Sequence, residues 1–129
     1  MEEVLLYPNV EWPSFSKVKF IDIISKYSNS SISGPDHILW SHLKTLIKDD
    51  KCIMNFVNIA NSCINLSYWP SHFKKSMSII ILKPNKSSYN TSKTFQPIIL
   101  LNTVEKLIRK VISNRIWVYS IALSFIYPT

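Results

Sequence analysis

Glycine is almost missing from this 129-residue sequence, which contains Gly34 alone beside seven prolines. Glycine takes the left-handed backbone conformation of turns and helix ends more easily than any other residue. We therefore expect loops rich in serine and asparagine to substitute, some of them under backbone strain. Hydrophobic residues make up 47% of the chain, which excludes a disordered chain and predicts a folded one. The length limits it to one small domain.

Clusters of metal ligands are also absent from the sequence. Cys52 and Cys63 fall in one predicted helix, about 16 Å apart along its axis, which is too far for a disulfide. We expect both to be reduced thiols. His37, His42 and His72 stand apart from these cysteines, without the spacing of zinc ligands. The sequence therefore predicts neither a bound metal nor another cofactor.

Targeting and membrane segments are missing as well. The chain starts with Met1, Glu2 and Glu3, an acidic beginning without the apolar core of a signal peptide. Its longest apolar stretch, near residues 117–127, is too short and too rich in serine to span a bilayer. We expect an intracellular protein without a membrane partner.

Acidic residues are scarce in the second half of the chain. Residues 70–129 hold nine Lys and Arg but one acid, Glu105, whereas residues 1–69 hold six Lys and seven Asp and Glu. The first half therefore carries about −1 and the second about +8. This asymmetry favours an acidic partner, and nucleic acid is the commonest one; a solvated basic face is the alternative.

Four helices are predicted from apolar spacing and capping residues. The first is capped by Ser14 or Ser16 and ends near Lys26. The second has Pro35 in its first turn. The third is capped by Asp49 or Asp50, and the fourth runs from Asn102 or Thr103 to about Ile116. We expect Trp40 and Trp69 in the core and packing or capping roles for His37 and His42.

Two apolar segments between the third and fourth helices are candidate strands. Residues 77–82 form a continuous β-branched run that predicts a strand buried on both faces. Residues 95–101 are apolar again, and Pro97 predicts an edge strand or a bend there. Residues 83–94 between them are polar and rich in lysine. The predicted fold class is α+β, mostly helical, with one or two strands.

Two segments of the chain carry a family pattern in order and at matching separation. The first is Gly34-Pro35-Asp36-His37-Ile38, followed by Leu43-Lys44. The second is longer and covers residues 68–74, 79–86, 92–98, 100–103 and 105–115. Its central part reads Lys83-Pro84-Asn85-Lys86, then Thr94-Phe95-Gln96-Pro97-Ile98 and Leu100-Leu101-Asn102. In these segments the chain resembles the fingers and early palm of LINE-type (non-LTR) retrotransposon reverse transcriptases.

The resemblance implies roles for two residues. In that family, a lysine on a fingers strand and an arginine before Pro-Ile hold the triphosphate of the incoming nucleotide. Lys83 matches the lysine, and Gln96 stands where the family has arginine. Glutamine lacks the charge and the forked donors of guanidinium. Two further departures are Ser67, where the family has a helix-ending glycine, and Arg109, where it has glutamate.

The carboxylates of polymerase chemistry are not among the matched residues. The family uses palm aspartates that hold paired Mg²⁺ ions, and its pattern places them beyond Thr129. We therefore expect no catalytic residue and no catalysis in this chain. The chain divides into an irregular lead-in (1–13), a partial fingers region (14–116) and an apolar tail (117–129).

The sequence thus predicts a truncated, inactive fragment of an RNA-directed DNA polymerase with at most weak binding to RNA or DNA. The candidate nucleic-acid-binding residues are Lys74, Lys75, Lys86, Lys93 and, for base stacking, Tyr89. A small basic nucleic-acid-binding module and a helical protein-interaction module are the alternatives. Because the apolar tail and the last helix lack partners in sequence, self-association through the C-terminal region is also expected.

Overall fold

A computed structural model describes residues 12–122 of the chain. The elements in this range are α1 (Lys17–Lys26), α2 (Trp40–Leu46), α3 (Asp50–Asn65), β1 (Ser76–Leu82), β2 (Phe95–Leu101) and α4 (Thr103–Ala122). Single 3₁₀ turns, Ser71–Lys74 and Ser92–Thr94, precede the two strands. The predicted α+β class is confirmed by four helices and a two-stranded antiparallel sheet. The predicted lead-in lies almost wholly outside the described residues.

The helices form the core, with α1 packed against α2, α3 and α4. Apolar residues at helical spacing bring one face of each helix into this cluster. The core consists of Phe15, Phe20, Ile23, Ile24, Trp40, Leu43, Ile53, Val57, Ala60, Phe73, Leu107, Ile108 and Val111. Trp40 is buried and stacks on Tyr27, while Trp69 packs half-buried against the core.

The helix boundaries agree with the sequence at three of four starts. Ser16 and Asp49 occupy the N-cap positions of α1 and α3, although neither side chain bonds to its helix. The predicted start of α2 near Pro35 is wrong, because His37 has a φ of 57°, which a right-handed helix excludes. Instead, α2 begins at Trp40, and His42 Nδ1 accepts the Leu39 N–H at 3.1 Å, a capping role.

The last helix is longer than the sequence predicted, since α4 continues to Ala122 instead of ending near Ile116. Part of the predicted apolar tail is therefore helical, and residues 123–129 lie outside the described range. Buried Arg115 anchors the middle of α4: its Nη1 donates to the Pro13 carbonyl, and its guanidinium lies 3.7 Å from the Phe15 ring centroid. Burial lowers the pKa of Arg115 from its usual value.

The strand prediction was right about position and wrong about burial. β1 pairs with β2 in a register that runs from Ser76 opposite Leu101 to Leu82 opposite Phe95. Every residue of β1 is exposed, so the strand predicted to be buried on both faces is buried on neither. The reason is that the sheet has two strands, too few to enclose a strand, and the described helices pack mainly on one another.

Both cysteines are free thiols, as predicted. Cys63 is buried on the core side of α3, and burial raises the pKa of its thiol. Cys52 lies half-buried at the start of α3 beside Asp49, and the hydrogen bond that the thiol donates to the Asp49 carboxylate raises the pKa of Cys52. Thiols with raised pKa values are poor nucleophiles at neutral pH, which fits structural roles for both.

Candidate nucleic-acid interface

The lysine-rich loop closes the β1–β2 hairpin, and its backbone is pinned at Lys83. The Lys83 N–H donates to the Thr94 carbonyl at 2.9 Å, which extends the ladder beyond Leu82. The Lys83 carbonyl accepts a hydrogen bond from the Tyr89 hydroxyl at 3.0 Å. Asn85, with a φ of 60°, makes the turn that follows Pro84. The loop therefore folds back onto the end of the strand that carries it.

The structure separates the predicted nucleic-acid-binding lysines into two groups at opposite ends of the hairpin. Lys86 and Lys93 lie exposed in the loop that follows Lys83, and we call these three lysines the tip. Lys74 and Lys75 lie exposed where β1 begins, which we call the base. Seven strand residues separate the groups, so they stand roughly 20–25 Å apart. The two groups are suited to contact separated phosphates of one nucleic-acid strand.

Lys83 and Gln96 share one face of the hairpin. Ile81 pairs with Gln96, and side chains two residues apart in a strand point to the same face. Lys83 is thus the diagonal neighbour of Gln96, with about 7–8 Å expected between them. Lys83 is half-buried and Gln96 is exposed. The fold brings together the two residues that the resemblance assigns to a triphosphate.

Tyr89, the candidate for base stacking, is engaged within the hairpin. Its ring packs edge-on against Phe95 at 6.5 Å between centroids, and its hydroxyl holds Lys83. The side chain retains 39% exposure. These two contacts fix the position of the Tyr89 side chain within the hairpin.

The two matched sequence segments meet where β2 joins α4. A Cβ on Gly34 would lie 2.5 Å from the Asn102 nitrogen and closer still to the Leu101 carbonyl group. The Asp36 N–H donates to Asn102 Oδ1 at 3.2 Å, and the Thr103 hydroxyl donates to the Ile38 carbonyl. Gly34 is therefore required for close backbone approach, and its φ is not positive. We call this junction the clamp.

The base of the hairpin is tied to the clamp by Asn102. Its Nδ2 lies 3.4 Å from Nε2 of His72, in the turn that precedes β1. Lys106 lies in the first turn of α4, and its Nζ donates to the Ile32 carbonyl at 2.8 Å. The loop before α2, the start of β1 and the start of α4 are thus held together. The sequence identified Asn102 as a helix cap but gave no signal of this second role.

An ion pair that the sequence did not predict, between a buried acid and a half-exposed base, lies one turn further along α4. Glu105 has no exposed surface, and its Oε1 accepts from Arg109 Nε at 2.8 Å. Its Oε2 has no hydrogen-bond partner. The Arg109 guanidinium also lies 5.2 Å from the centre of the Trp69 ring. A groove of about 480 Å³ runs beside Arg109 and is lined by Trp69, Ile112, Ser113 and Ile116 as well.

Most carboxylates in the described part of the chain have a structural partner. Asp22 pairs with Lys26, and Asp50 pairs with Lys17. Asp36 Oδ1 accepts the Ile38 N–H at 3.1 Å, which stabilises the turn before α2. Residues 12–122 contain no group of three metal-ligating side chains. Within the same residues, no helix is both long and apolar enough to cross a membrane.

No protein-family model matches the chain. The chain is 28% identical over 102 residues to a Drosophila melanogaster protein described as "Probable RNA-directed DNA polymerase from transposon X-element". The alignment covers 79% of this chain and 11% of the Drosophila protein, so the chain spans about a tenth of this relative's length. The similarity supports a relation between this chain and retrotransposon reverse transcriptases.

Proposed function

We propose that this chain corresponds to the fingers part of a LINE-type retrotransposon RNA-directed DNA polymerase, and that by itself it binds nucleic acid weakly without polymerising. The hairpin carries this proposal, because it holds Lys83 and Gln96 on one face and exposed lysines at both ends. The similarity to the Drosophila protein supports the family. The clamp also supports the proposed family, since it joins the two matched sequence segments, which are far apart in sequence, into one structural unit.

Binding through lysine–phosphate contacts would be weak and indifferent to sequence. Each contact releases a counterion, so affinity falls steeply as salt rises. A handful of contacts corresponds to dissociation constants on the order of micromolar or weaker at physiological salt. Lys74, Lys75, Lys86 and Lys93 are exposed and Lys83 is half-buried, so the four exposed lysines can reach phosphates without a conformational change.

Catalysis is not part of the proposal, because polymerisation needs aspartates that hold two metal ions together. Asp22, Asp50 and Glu105 are each engaged with a cation on their own or a neighbouring helix. Asp36 is engaged by the turn before α2. In residues 12–122 these carboxylates therefore lie on separate elements, each with its own partner, and do not form a set.

The binding test is fluorescence anisotropy of labelled RNA and DNA oligonucleotides over a salt series. Changing Lys83, Lys86 and Lys93 together to glutamine should flatten the dependence of affinity on salt. Changing Lys74 and Lys75 should do so independently. The matched control changes Lys19, Lys48 and Lys51, three exposed lysines that lie among the helices. If the control variant loses as much affinity as the tip variant, binding is not located on the hairpin.

Primer extension on RNA and DNA templates, with Mg²⁺ or Mn²⁺, tests the second part of the proposal. We expect no template-dependent incorporation above a sample without protein. Incorporation by the purified chain would refute the proposed lack of activity.

A helical protein-interaction module is the second candidate, favoured by the end of α4. Ile116, Val118 and Ile121 are each close to half exposed or more. Docking of a partner helix on this surface would depend little on salt, whereas phosphate binding depends on it strongly. Salt dependence of binding therefore separates the two candidates.

A further inference from the structure

The hydrogen-bonding pattern of the hairpin shows which backbone groups of β1 remain unpaired. In antiparallel pairs, residues that exchange hydrogen bonds alternate with residues that do not. The bond from Lys83 N to Thr94 O places that pair in the bonded set. From the register, Ile81 with Gln96 and Ile79 with Ile98 are bonded pairs. The N–H and C=O groups of the intervening β1 residues point away from β2; these are Ser76, Ser78, Ile80 and Leu82.

The open edges of the two strands differ in their capacity to accept another strand. In β2 the outward position opposite Ile80 is Pro97, which has no N–H to donate. The outward side of Leu101 is approached closely by the backbone at Gly34. The open edge of β1 has neither obstacle, because all its residues are exposed and no described strand pairs with it. The open edge of β1 therefore has backbone N–H and C=O groups available along its length to pair with another strand.

The side chains along β1 would complement an apolar strand. Exposed edges usually carry charged residues or proline that prevent pairing with other chains, but Ser76–Leu82 contains neither. Ile79 and Ile81 lie on one face and Ile80 and Leu82 on the other, and all are more than one third exposed. An added strand with β-branched residues would cover part of both faces.

The charges that flank β1 specify the ends of such a strand. Lys74 and Lys75 precede β1, and Lys83 follows it. A second copy of this chain that paired in antiparallel fashion along β1 would place lysine against lysine at both ends, which is unfavourable. Acidic residues at both ends of the incoming segment would instead meet opposite charges.

We propose that the open edge of β1 is a docking site for an extended polypeptide segment that is apolar in its centre and acidic at both ends, which would add a third strand to the sheet. Its affinity rests on backbone groups of β1 that nucleic-acid binding does not use, whereas Lys74, Lys75 and Lys83 take part in both proposals. Backbone hydrogen bonds would supply affinity, and the lysines at the two ends would select the partner.

The test uses the full chain and a fluorescent peptide with alternating valine and threonine, about as long as β1, and glutamates at both ends. We expect saturable binding by anisotropy, with slowed amide exchange at Ser78 and Ile80. A peptide with lysines at both ends should bind at least about tenfold more weakly at low salt. Replacing Lys74, Lys75 and Lys83 with glutamate should reverse this preference.

Blocking the edge gives a second, independent measurement. Ile80→Pro removes one outward N–H without removing a bond to β2, so it should weaken peptide binding about tenfold while the hairpin amides stay protected. N-methylation of the peptide along its pairing edge should likewise weaken its binding to the unchanged protein. This measurement remains valid even if Ile80→Pro unfolds the hairpin. Equal binding of acidic-ended and basic-ended peptides, or tolerance of N-methylation, would overturn the proposal. So would an Ile80→Pro variant that alters oligomeric state or oligonucleotide affinity and leaves peptide binding intact.

Discussion

Three residues other than glycine take positive φ in the described chain, and each does so where the backbone must reverse. His37 ends the turn that begins at Gly34, and Asn85 turns the chain after β1. Ser67 follows α3 with a φ of 49°; the Tyr68 N–H bonds to the Cys63 carbonyl and the Ser67 N–H to the Ile64 carbonyl. These two bonds define a Schellman motif, whose left-handed position strongly favours glycine. The strain expected at Ser67 is therefore present.

Ser67→Gly should stabilise the protein. Removing the Cβ relieves a left-handed conformation that costs an ordinary residue roughly 1–2 kcal/mol, and the greater freedom of unfolded glycine offsets part of the gain. We expect the free energy of unfolding to rise by about 1 kcal/mol, measured by urea denaturation. The control is Ser62→Gly, exposed within the same helix, which should lose about 0.5 kcal/mol. Equal losses in both variants would contradict a left-handed cap at Ser67.

Arg109→Met should destabilise the protein more than Glu105→Met. Without Arg109, the buried Glu105 carboxylate has no charged partner, and because Arg109 itself is half exposed we expect the loss to be about 2 kcal/mol. Glu105→Met instead removes the buried charge and its unpaired oxygen, so its effect should be within about 1 kcal/mol of zero. The double variant should regain most of the loss in urea denaturation. An Arg109→Met variant as stable as the unchanged protein would show that Arg109 does not compensate Glu105.

Gln96→Arg should raise affinity for a free nucleoside triphosphate, because it places a guanidinium diagonal to Lys83 on one face. A charge-assisted pair contributes roughly 1.5–3 kcal/mol, which corresponds to at least about tenfold in affinity. Isothermal titration calorimetry measures it. Adding Lys83→Met to the same variant should remove most of the gain. An unchanged affinity in a folded Gln96→Arg protein would indicate that this face forms no triphosphate pocket.

At the scale of elements, the clamp determines how the hairpin leaves the helical core. β2 runs directly into α4 at Asn102, and the loop before α2 packs on that junction. His72 and Asn102 bring the start of β1 to the same place. The hairpin thus has a fixed base, where Leu100 of β2 is buried, while every residue of β1 remains exposed.

Gly34→Ala should disrupt the clamp. The added methyl would collide with backbone atoms of Leu101 and Asn102, which cannot move without shifting β2 against α4. Overpacking of this kind costs about 3 kcal/mol. Thermal unfolding followed by circular dichroism measures the loss, and Ser33→Ala is the neighbouring control. If Gly34→Ala were as stable as Ser33→Ala, the backbone approach at the clamp would not be required.

At the scale of the whole molecule, the core closes more completely than the sequence suggested. We expected the apolar stripe of α4 to lack cover, yet Leu107, Ile108 and Val111 are almost fully buried against the other helices. The uncovered apolar surface lies further along, at Ile116, Val118 and Ile121. Exposed apolar patches of this kind promote association.

We therefore expect the chain to self-associate through the last turns of α4. Val118→Lys combined with Ile121→Lys should shift the protein toward monomer in size-exclusion chromatography with light scattering, at little cost in stability because both positions are exposed. The control is Val18→Lys, on the exposed face of α1. An unchanged protein that is monomeric at all concentrations would contradict the prediction, as would a Val18→Lys effect of equal size.

Local sequence patterns predicted the helices and the edge strand well, because apolar spacing and the position of a proline depend on residues that are close in sequence. Helical spacing located the buried faces of α1, α3 and α4, and Pro97 indicated an edge position for β2. The predictions were wrong where the backbone conformation of a single residue, or the neighbours of a strand, decided the structure. His37 delays the start of α2, and β1 is exposed because residues 12–122 supply only one strand, β2, to pair with it.

The sequence by itself determined the elements, the basic second half and the order of the matched segments, since composition and short-range spacing encode these directly. Only the tertiary structure decided which of them meet. It joined Gly34 to Asn102, set Lys83 beside Gln96, separated the tip lysines from the base lysines, and buried Glu105. The physical reason is that such contacts depend on strand register and on backbone approach between distant segments, which no local pattern specifies.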